Sequence, residues 1–187
     1  MNKEFITQRL LLRPWQPQQD AQAAWEIYGD REVMRYIGDG KVEKSITSVR
    51  DRLQLNVDRY DALNNGTGYW AAVEKATGQL IGAIILKQLP DAEGKLTQDV
   101  EIGWHLRRRS WGQGYATEGA KKILEYGFDS LNLPVIYAIT RAENKRSIRV
   151  MERLKMLPLG TTDKYYGIKC SLFQLKPPNT PPLIIDY

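Results

Sequence analysis

The stretch Arg107–Ala120, RRRSWGQGYATEGA, sets three arginines and two closely spaced glycines between an alternating apolar pattern and a helical one. The first turn of a helix leaves four main-chain N–H groups without partners, and the helix dipole puts partial positive charge there. Gly112 and Gly114 have no side chains to keep an anion away from those amides, and Arg107, Arg108 and Arg109 add whole charges. Together they outline a site for a phosphate or pyrophosphate. A tight turn from strand to helix would use the same glycines, so the stretch alone does not decide between the two. Two phosphate-binding designs fail on residues. A P-loop needs Lys-Ser/Thr after its last glycine, and a dinucleotide fold needs a third glycine with an acid about 20 residues on. Here Thr117 takes the third place, and the next apolar run, VIYAITR, ends in Arg141.

Further chemistry clusters on either side. DVEIGWHL (Asp99–Leu106) alternates so that Val100, Ile102, Trp104 and Leu106 share one face and Glu101, Gly103 and His105 the other. Gly103 in mid-strand suggests a bulge or a close approach of another backbone. Asn144 and Ser147 stand where a helix begins, and either residue type there is an ordinary N-cap.

The elements that must position these residues follow from periodicity. The spacing predicts a strand over 9–15 and helices over 18–28, 31–37 and 45–63. A hairpin turning at Thr77-Gly78 follows, then the strand at 99–106 and a helix over 115–130. The remainder reads as a strand over 135–141, a helix over 145–155, and strands over 159–165 and 168–175 turning at Tyr166-Gly167. With no repeat and no internal linker, the expectation is one α+β domain over 1–175 and a proline-rich tail over 176–187. Cys170, inside an apolar strand, reads as a buried small hydrophobe.

Composition sets the limits. The chain has 187 residues, long enough for a sizeable core. No apolar run nears the roughly 20 residues needed to span a bilayer. MNKEFITQRL lacks the apolar core of a signal peptide, so a cytoplasmic location is expected. One cysteine and one histidine leave no His/Cys zinc cluster and weaken triad chemistry, so no metal is expected. The net charge of +5 is uneven: residues 107–155 carry eleven Lys/Arg against five Asp/Glu.

Three segments, in order, carry a family resemblance: ITQRLLLRPWQPQQDAQAAWEIYGDREVMRYIG, EIGWHLRRRSWGQGYATEGA and RAENKRSIRVMERL. Together the chain resembles the GCN5-related N-acetyltransferases, specifically the branch of ribosomal-protein-alanine N-acetyltransferases, over nearly its whole length to about Leu175. The resemblance implies a mixed, mostly antiparallel sheet of about seven strands flanked by about four helices. It also implies a splayed strand pair at the cofactor site and acetyl-CoA as cosubstrate. The main chain of Trp104, His105 and Leu106 would meet the pantetheine arm, and the amides of Gly112, Gln113, Gly114, Tyr115 and Ala116 the pyrophosphate. The family's Gln/Arg-x-x-Gly-x-Gly/Ala loop places its first residue at Trp111, or in a second frame at Arg109. Trp111 cannot make an arginine's polar contacts, so one of Arg107–Arg109 would supply the charge.

The resemblance gives Glu101 the role of general base, with His105 as its rival. A carboxylate at its ordinary pKa is a weak base for deprotonating an alkylammonium, so burial or a water relay is required. The resemblance also places Asn144 against the pantetheine or its phosphate and Ser147 near the sulfur as a proton donor. Met151 stands where many relatives carry a tyrosine acid, and Leu154-Lys155-Met156 where they carry Leu-Gly-Phe. Arg35 and Tyr36 are the candidates for the acceptor groove. The acceptor, a protein N-terminus or a small primary amine, is left open, as is a monomer or homodimer. The competing class is a non-catalytic basic module that holds RNA or another anionic partner, or a coenzyme A-binding protein without activity. A nucleic-acid face would interleave arginines with exposed aromatics instead of lining a strand–helix junction with them.

Overall fold

The computed structural model describes residues 3–177, so most of the expected tail lies outside the described residues. Among those residues the chain forms eight strands and five α-helices. In chain order these are β1 (Phe5–Ile6), β2 (Leu10–Pro14), α1 (Pro17–Tyr28), α2 (Arg31–Met34), α3 (Ile46–Leu63), β3 (Gly68–Glu74) and β4 (Gln79–Pro90). Then come β5 (Leu96–Leu106), a 3-10 turn (Arg108–Ser110), α4 (Tyr115–Asp129), β6 (Ile136–Thr140), α5 (Lys145–Arg153), β7 (Leu157–Thr162) and β8 (Cys170–Leu175). One sheet holds all the strands in the order β1-β2-β3-β4-β5-β6-β8-β7. Every pairing is antiparallel except β5 with β6. The expected architecture is present. The short β1 is one strand more than the periodicity gave, added by a tight reversal at Thr7–Leu10.

Both faces of the sheet are covered, which explains why β4 is an almost unbroken apolar run. On one face α4 lays Ala120, Ile123, Leu124 and Gly127 against Leu10, Ile84, Leu86 and Ile102. On the other, α1 and α3 bury Ala24, Ile27, Tyr28, Val49 and Leu53 against Ala71, Ala83 and Ile85. A fully buried Leu or Ile contributes roughly 1.5–3 kcal/mol, so these two layers hold β4 and β5 as a rigid platform. Cys170 is buried, as its strand context predicts.

Some boundaries moved for identifiable reasons. α2 stops at Met34, because Gly38 and Gly40 take the chain through left-handed turns. β5 starts at Leu96, ahead of the strand expected at 99–106, and is tied to β4 by the Thr97 hydroxyl donating to Leu89 O and Gln88 Nε2 donating to Thr97 O. Gly103 is not a bulge. Its pairing with Ile85 continues an unbroken register, and the irregularity lies instead between Gln88 and Pro90.

At the end of α5 the missing glycine leaves a measurable trace. Met156 N–H donates to Met151 O and Lys155 N–H to Glu152 O, closing the helix as a Schellman motif. Lys155 therefore takes the left-handed position, at φ +59. That conformation costs a side-chain-bearing residue roughly 1–2 kcal/mol, partly offset by the greater entropy glycine loses on folding. Lys155→Gly is expected to stabilise the protein by about 0.5–1 kcal/mol, read as a higher urea midpoint at unchanged slope. A lower midpoint would contradict this account of the helix end.

Candidate active site

β5 and β6 meet at one register pair, Glu101 with Tyr137, and diverge beyond it. Which main-chain groups this exposes follows from the antiparallel alternation on the other side. Arg107 N–H donates to Ile81 O on β4, so residues 101, 103 and 105 also turn their main-chain groups toward β4. Residues 102, 104 and 106 turn theirs toward β6. Leu106 O is taken by the indole N–H of Trp111 at 2.8 Å. Trp104 and the Leu106 N–H are thus left facing the gap, while His105 satisfies its main-chain groups on β4.

The chain then crosses the 3-10 turn and enters α4. Gly112 and Gly114 sit at φ +76 and +84, left-handed positions that a side chain would strain. The six main-chain N–H groups from Gly112 to Thr117 have no acceptor among the described residues. The buried Thr117 hydroxyl is also without a hydrogen-bond partner and lines the same cleft. A row of converging amides at a helix N-terminus binds anions well.

The three arginines preceding this turn serve a different purpose. Arg107 is buried against Ser110 and Gln79 and lies 3.7 Å from Glu26. Arg108 pairs with Asp30 at 3.5 Å and Arg109 with Glu26 at 3.0 Å. Arg109 and Gln113 lie outside the cleft lining, and Gln113 donates its amide to Arg109 O. The cations that do line this end come from Arg141 and from α5: Arg146, Arg149 and Arg153. Arg146 lies 4.5 Å over the Trp111 ring, a cation–π contact that holds both at the cleft wall. The basic segment read from the sequence is real, but the cations it brings to the cleft come from α5 and Arg141.

α5 begins as its sequence predicts. Asn144 Oδ1 accepts the Ser147 N–H at 3.3 Å, and Asn144 Nδ2 donates to Thr140 Oγ1 at 2.9 Å. Both residues line the cleft beside the fully buried Met151. The Ser147 hydroxyl has no partner among the described residues.

At the other end Glu101 is 7% exposed, not the solvent-facing residue that a half-covered strand would give. Lys87, directly opposite it on β4, reaches Oε1 at 3.3 Å. The Tyr166 hydroxyl, from the β7–β8 connection, donates to the same oxygen. Oε2 has no partner among the described residues. Burial and then the neighbouring Glu101 push the Tyr166 phenol well above its usual range, so it stays a proton donor.

His105 lies further along the same face. Its Nδ1 is 3.2 Å from the Tyr69 hydroxyl and 3.4 Å from that of Tyr28, and the two hydroxyls bond each other. Burial first, then Lys87 and Arg52, lower its pKa to about 3. A neutral imidazole set among phenols pushed upward by burial (Tyr28 to about 12) is a poor proton acceptor.

A cleft of about 760 Å³ joins all of this. It brings together Glu101, Trp104, His105, Leu106, Trp111, Gly112, Gly114, Tyr115, Ala116, Asn144 and Ser147, with Tyr36 at its far rim. It does not bring in Arg35, whose guanidinium rests 5.3 Å from the Tyr36 ring at the surface. Sequence reading missed Tyr166, Lys87 and the α5 arginines. Only Lys87 carried a usable signal, as the residue facing Glu101 once the hairpin register is drawn.

A splayed parallel pair beside an amide-lined helix start defines a class of acyl-transfer fold. Residues 9–157 match the family described as acetyltransferase (GNAT) domain, and the chain belongs to the GCN5-related N-acetyltransferases. It is 30% identical over 171 residues to the uncharacterized N-acetyltransferase p20 of Bacillus licheniformis, covering 91% of this chain and 92% of that one. Its fold is similar to a GNAT-family acetyltransferase from Bacillus anthracis (TM-score 0.75, 23% identity, 93% and 98% of the two chains). It is also similar to the ribosomal-protein-S5-alanine acetyltransferase of Vibrio fischeri (TM-score 0.72, 16% identity, 97% and 100%). The family uses acetyl-CoA. Among the described residues no helix is long and apolar enough to cross a membrane, and no group of three His, Cys, Asp or Glu could hold a metal ion.

His105 is the chain's one histidine, which makes its state directly readable. Its folded pKa lies below the unfolded value of about 6.5. The unfolded chain therefore binds the extra proton, and the stability this gives is present above about pH 6.5 and lost as pH falls toward 3. The imidazole proton resonances are expected to stay flat between about pH 5 and 8. A titration midpoint near 6.5 in the folded protein would overturn the neutral assignment.

Proposed function

We propose that this N-acetyltransferase moves the acetyl group of acetyl-CoA directly onto a primary amine, either a protein N-terminus or a small-molecule amine. The observation that carries the reading is the run of unpartnered amides from Gly112 to Thr117, facing the open edge of β5 in a cleft that continues to Glu101. The residues present fit the cosubstrate. The amides of Gly112 and of Gly114 to Thr117, with the Thr117 hydroxyl, would hold its pyrophosphate, with Arg146 and Arg149 as the nearby cations. The main chain of Trp104, with Asn144 across the gap, would hold the pantetheine. Arg109, engaged with Glu26, is left out of this set. When bound, acetyl-CoA supplies the thioester carbonyl that the amine attacks and the thiolate that leaves.

The chain's own residues handle protons. An amine must be unprotonated to attack, and Glu101 is the carboxylate placed to accept that proton, directly or through water. His105, kept neutral and tied to two phenols, is not used. Ser147, with its hydroxyl free in the cleft, is the proton donor to the departing sulfur. A thiol of pKa near 8.5 needs little such help. Tyr36 forms part of the acceptor end. The basic-module reading loses the support of Arg107–Arg109, which are paired within the chain.

Saturating acetyl-CoA at about 100 times its Kd adds roughly 2.7 kcal/mol, so the melting midpoint is expected to rise by about 5–11 °C. No rise in folded protein would sink the reading. Glu101→Gln is expected to lower kcat by about 100-fold with that rise intact, measured by thiol release across an amine panel. Unchanged turnover would remove Glu101 from the mechanism.

A further inference from the structure

The turn between β7 and β8 does more than reverse the chain. Tyr166 and Gly167 both lie in the left-handed region, at φ +58 and +62. For a tyrosine this is a strained conformation of the kind that collects at functional sites, and the surroundings must enforce it. They do so at several points. Asp91 and Tyr165 form an isolated bridge, and Tyr166 N–H donates to Pro90 O at 3.4 Å. A side chain on Gly167 would meet Ala92 O at 3.0 Å. The Tyr165 hydroxyl and Lys164 Nζ both bind Asp99 Oδ2, at 2.6 and 2.8 Å. The tip is thus pinned to the β4–β5 hairpin, which also carries Lys87 and Glu101 as a cross-strand pair.

The pinning delivers one group into the cleft. The Tyr166 hydroxyl donates to Glu101 Oε1, where Lys87 also arrives, and the Lys87 ammonium lies 5.2 Å from the Tyr166 ring centroid. The Tyr166 hydrogen bond falls on Oε1, the oxygen that Lys87 approaches as an ion pair, and Oε2 accepts no hydrogen bond among the described residues. A buried carboxylate held at one oxygen cannot turn freely, so its second oxygen has a fixed position. We infer that Tyr166 is a positioning residue, which with Lys87 fixes the Glu101 carboxylate by Oε1 and reserves Oε2 for the acceptor amine or its water. The inference rests on Glu101 being the base. It also assigns a catalytic purpose to the C-terminal hairpin, 65 residues beyond the strand it serves. Burial raises the Tyr166 pKa, so the donor persists throughout the pH range in which an amine reacts.

The test is Tyr166→Phe, which keeps the ring under Lys87 and removes the hydroxyl alone. Folding and cofactor binding are checked first by the acetyl-CoA-induced rise in melting temperature, which is expected to match the parent's. In the parent background, kcat is expected to fall by about tenfold with KM for acetyl-CoA unchanged. In a Glu101→Gln background the same substitution is expected to change kcat by less than about twofold, because the group it positions is gone. Equal losses in both backgrounds would show that Tyr166 acts independently of Glu101 and overturn the proposal. So would a Tyr166→Phe enzyme with parental kcat while Glu101→Gln is impaired. If Glu101→Gln itself leaves kcat intact, the base assignment fails first, a result separable from the other two.

Discussion

The separation of β5 from β6 after a single bridge is the constraint on which the rest of the molecule depends. A sheet strand left unpaired in the interior is costly unless something occupies its main-chain groups. The chain meets part of this need itself, by lending the Trp111 indole to Leu106 O. The platform of β4 and β5 tolerates the gap because both its faces are covered, by α4 on one side and by α1 and α3 on the other. Everything chemical is then hung around the opening. The amide row sits at its mouth, the α5 arginines along one wall, and Glu101 at the point where the two strands part.

Charge is divided between two tasks that sequence alone runs together. Arg107, Arg108 and Arg109 fasten the turn to Glu26 and Asp30 around α1. The exposed pairs of Arg108 and Arg109 contribute little stability singly, but with the buried Arg107 they orient the segment that leads into the amide row. The cations available to a ligand lie on the next helix, where Arg146 rests on Trp111. The tryptophan that breaks the family's usual polar pattern is therefore a girder, joining β5, the turn and α5.

Much of the fold was legible because it depends on local periodicity. The alternation Val100, Ile102, Trp104, Leu106 gave the facing of β5 correctly, and Asn144 was readable as a helix cap with Ser147 beside it. The glycine turn likewise announced itself. What could not be read are contacts between residues distant in sequence. Nothing near Arg109 points to Glu26, 83 residues earlier, and nothing near Glu101 points to Tyr166. Both pairings exist only once the sheet order is set. The bulge, one of the two readings offered for Gly103, shows the opposite error, a local signal given a local cause. The register there is regular.

That glycine has another consequence. A Cβ at position 103 would meet only Ile85, at an ordinary 3.7 Å, so the backbone does not demand glycine. Gly103 instead leaves a bare floor between Glu101 and His105, on the face that lines the cleft. Any side chain there would rise into the space beside the carboxylate without disturbing the strand beneath it. The width of the chamber beside the carboxylate can thus be changed at a position where the strand itself makes no demand for glycine.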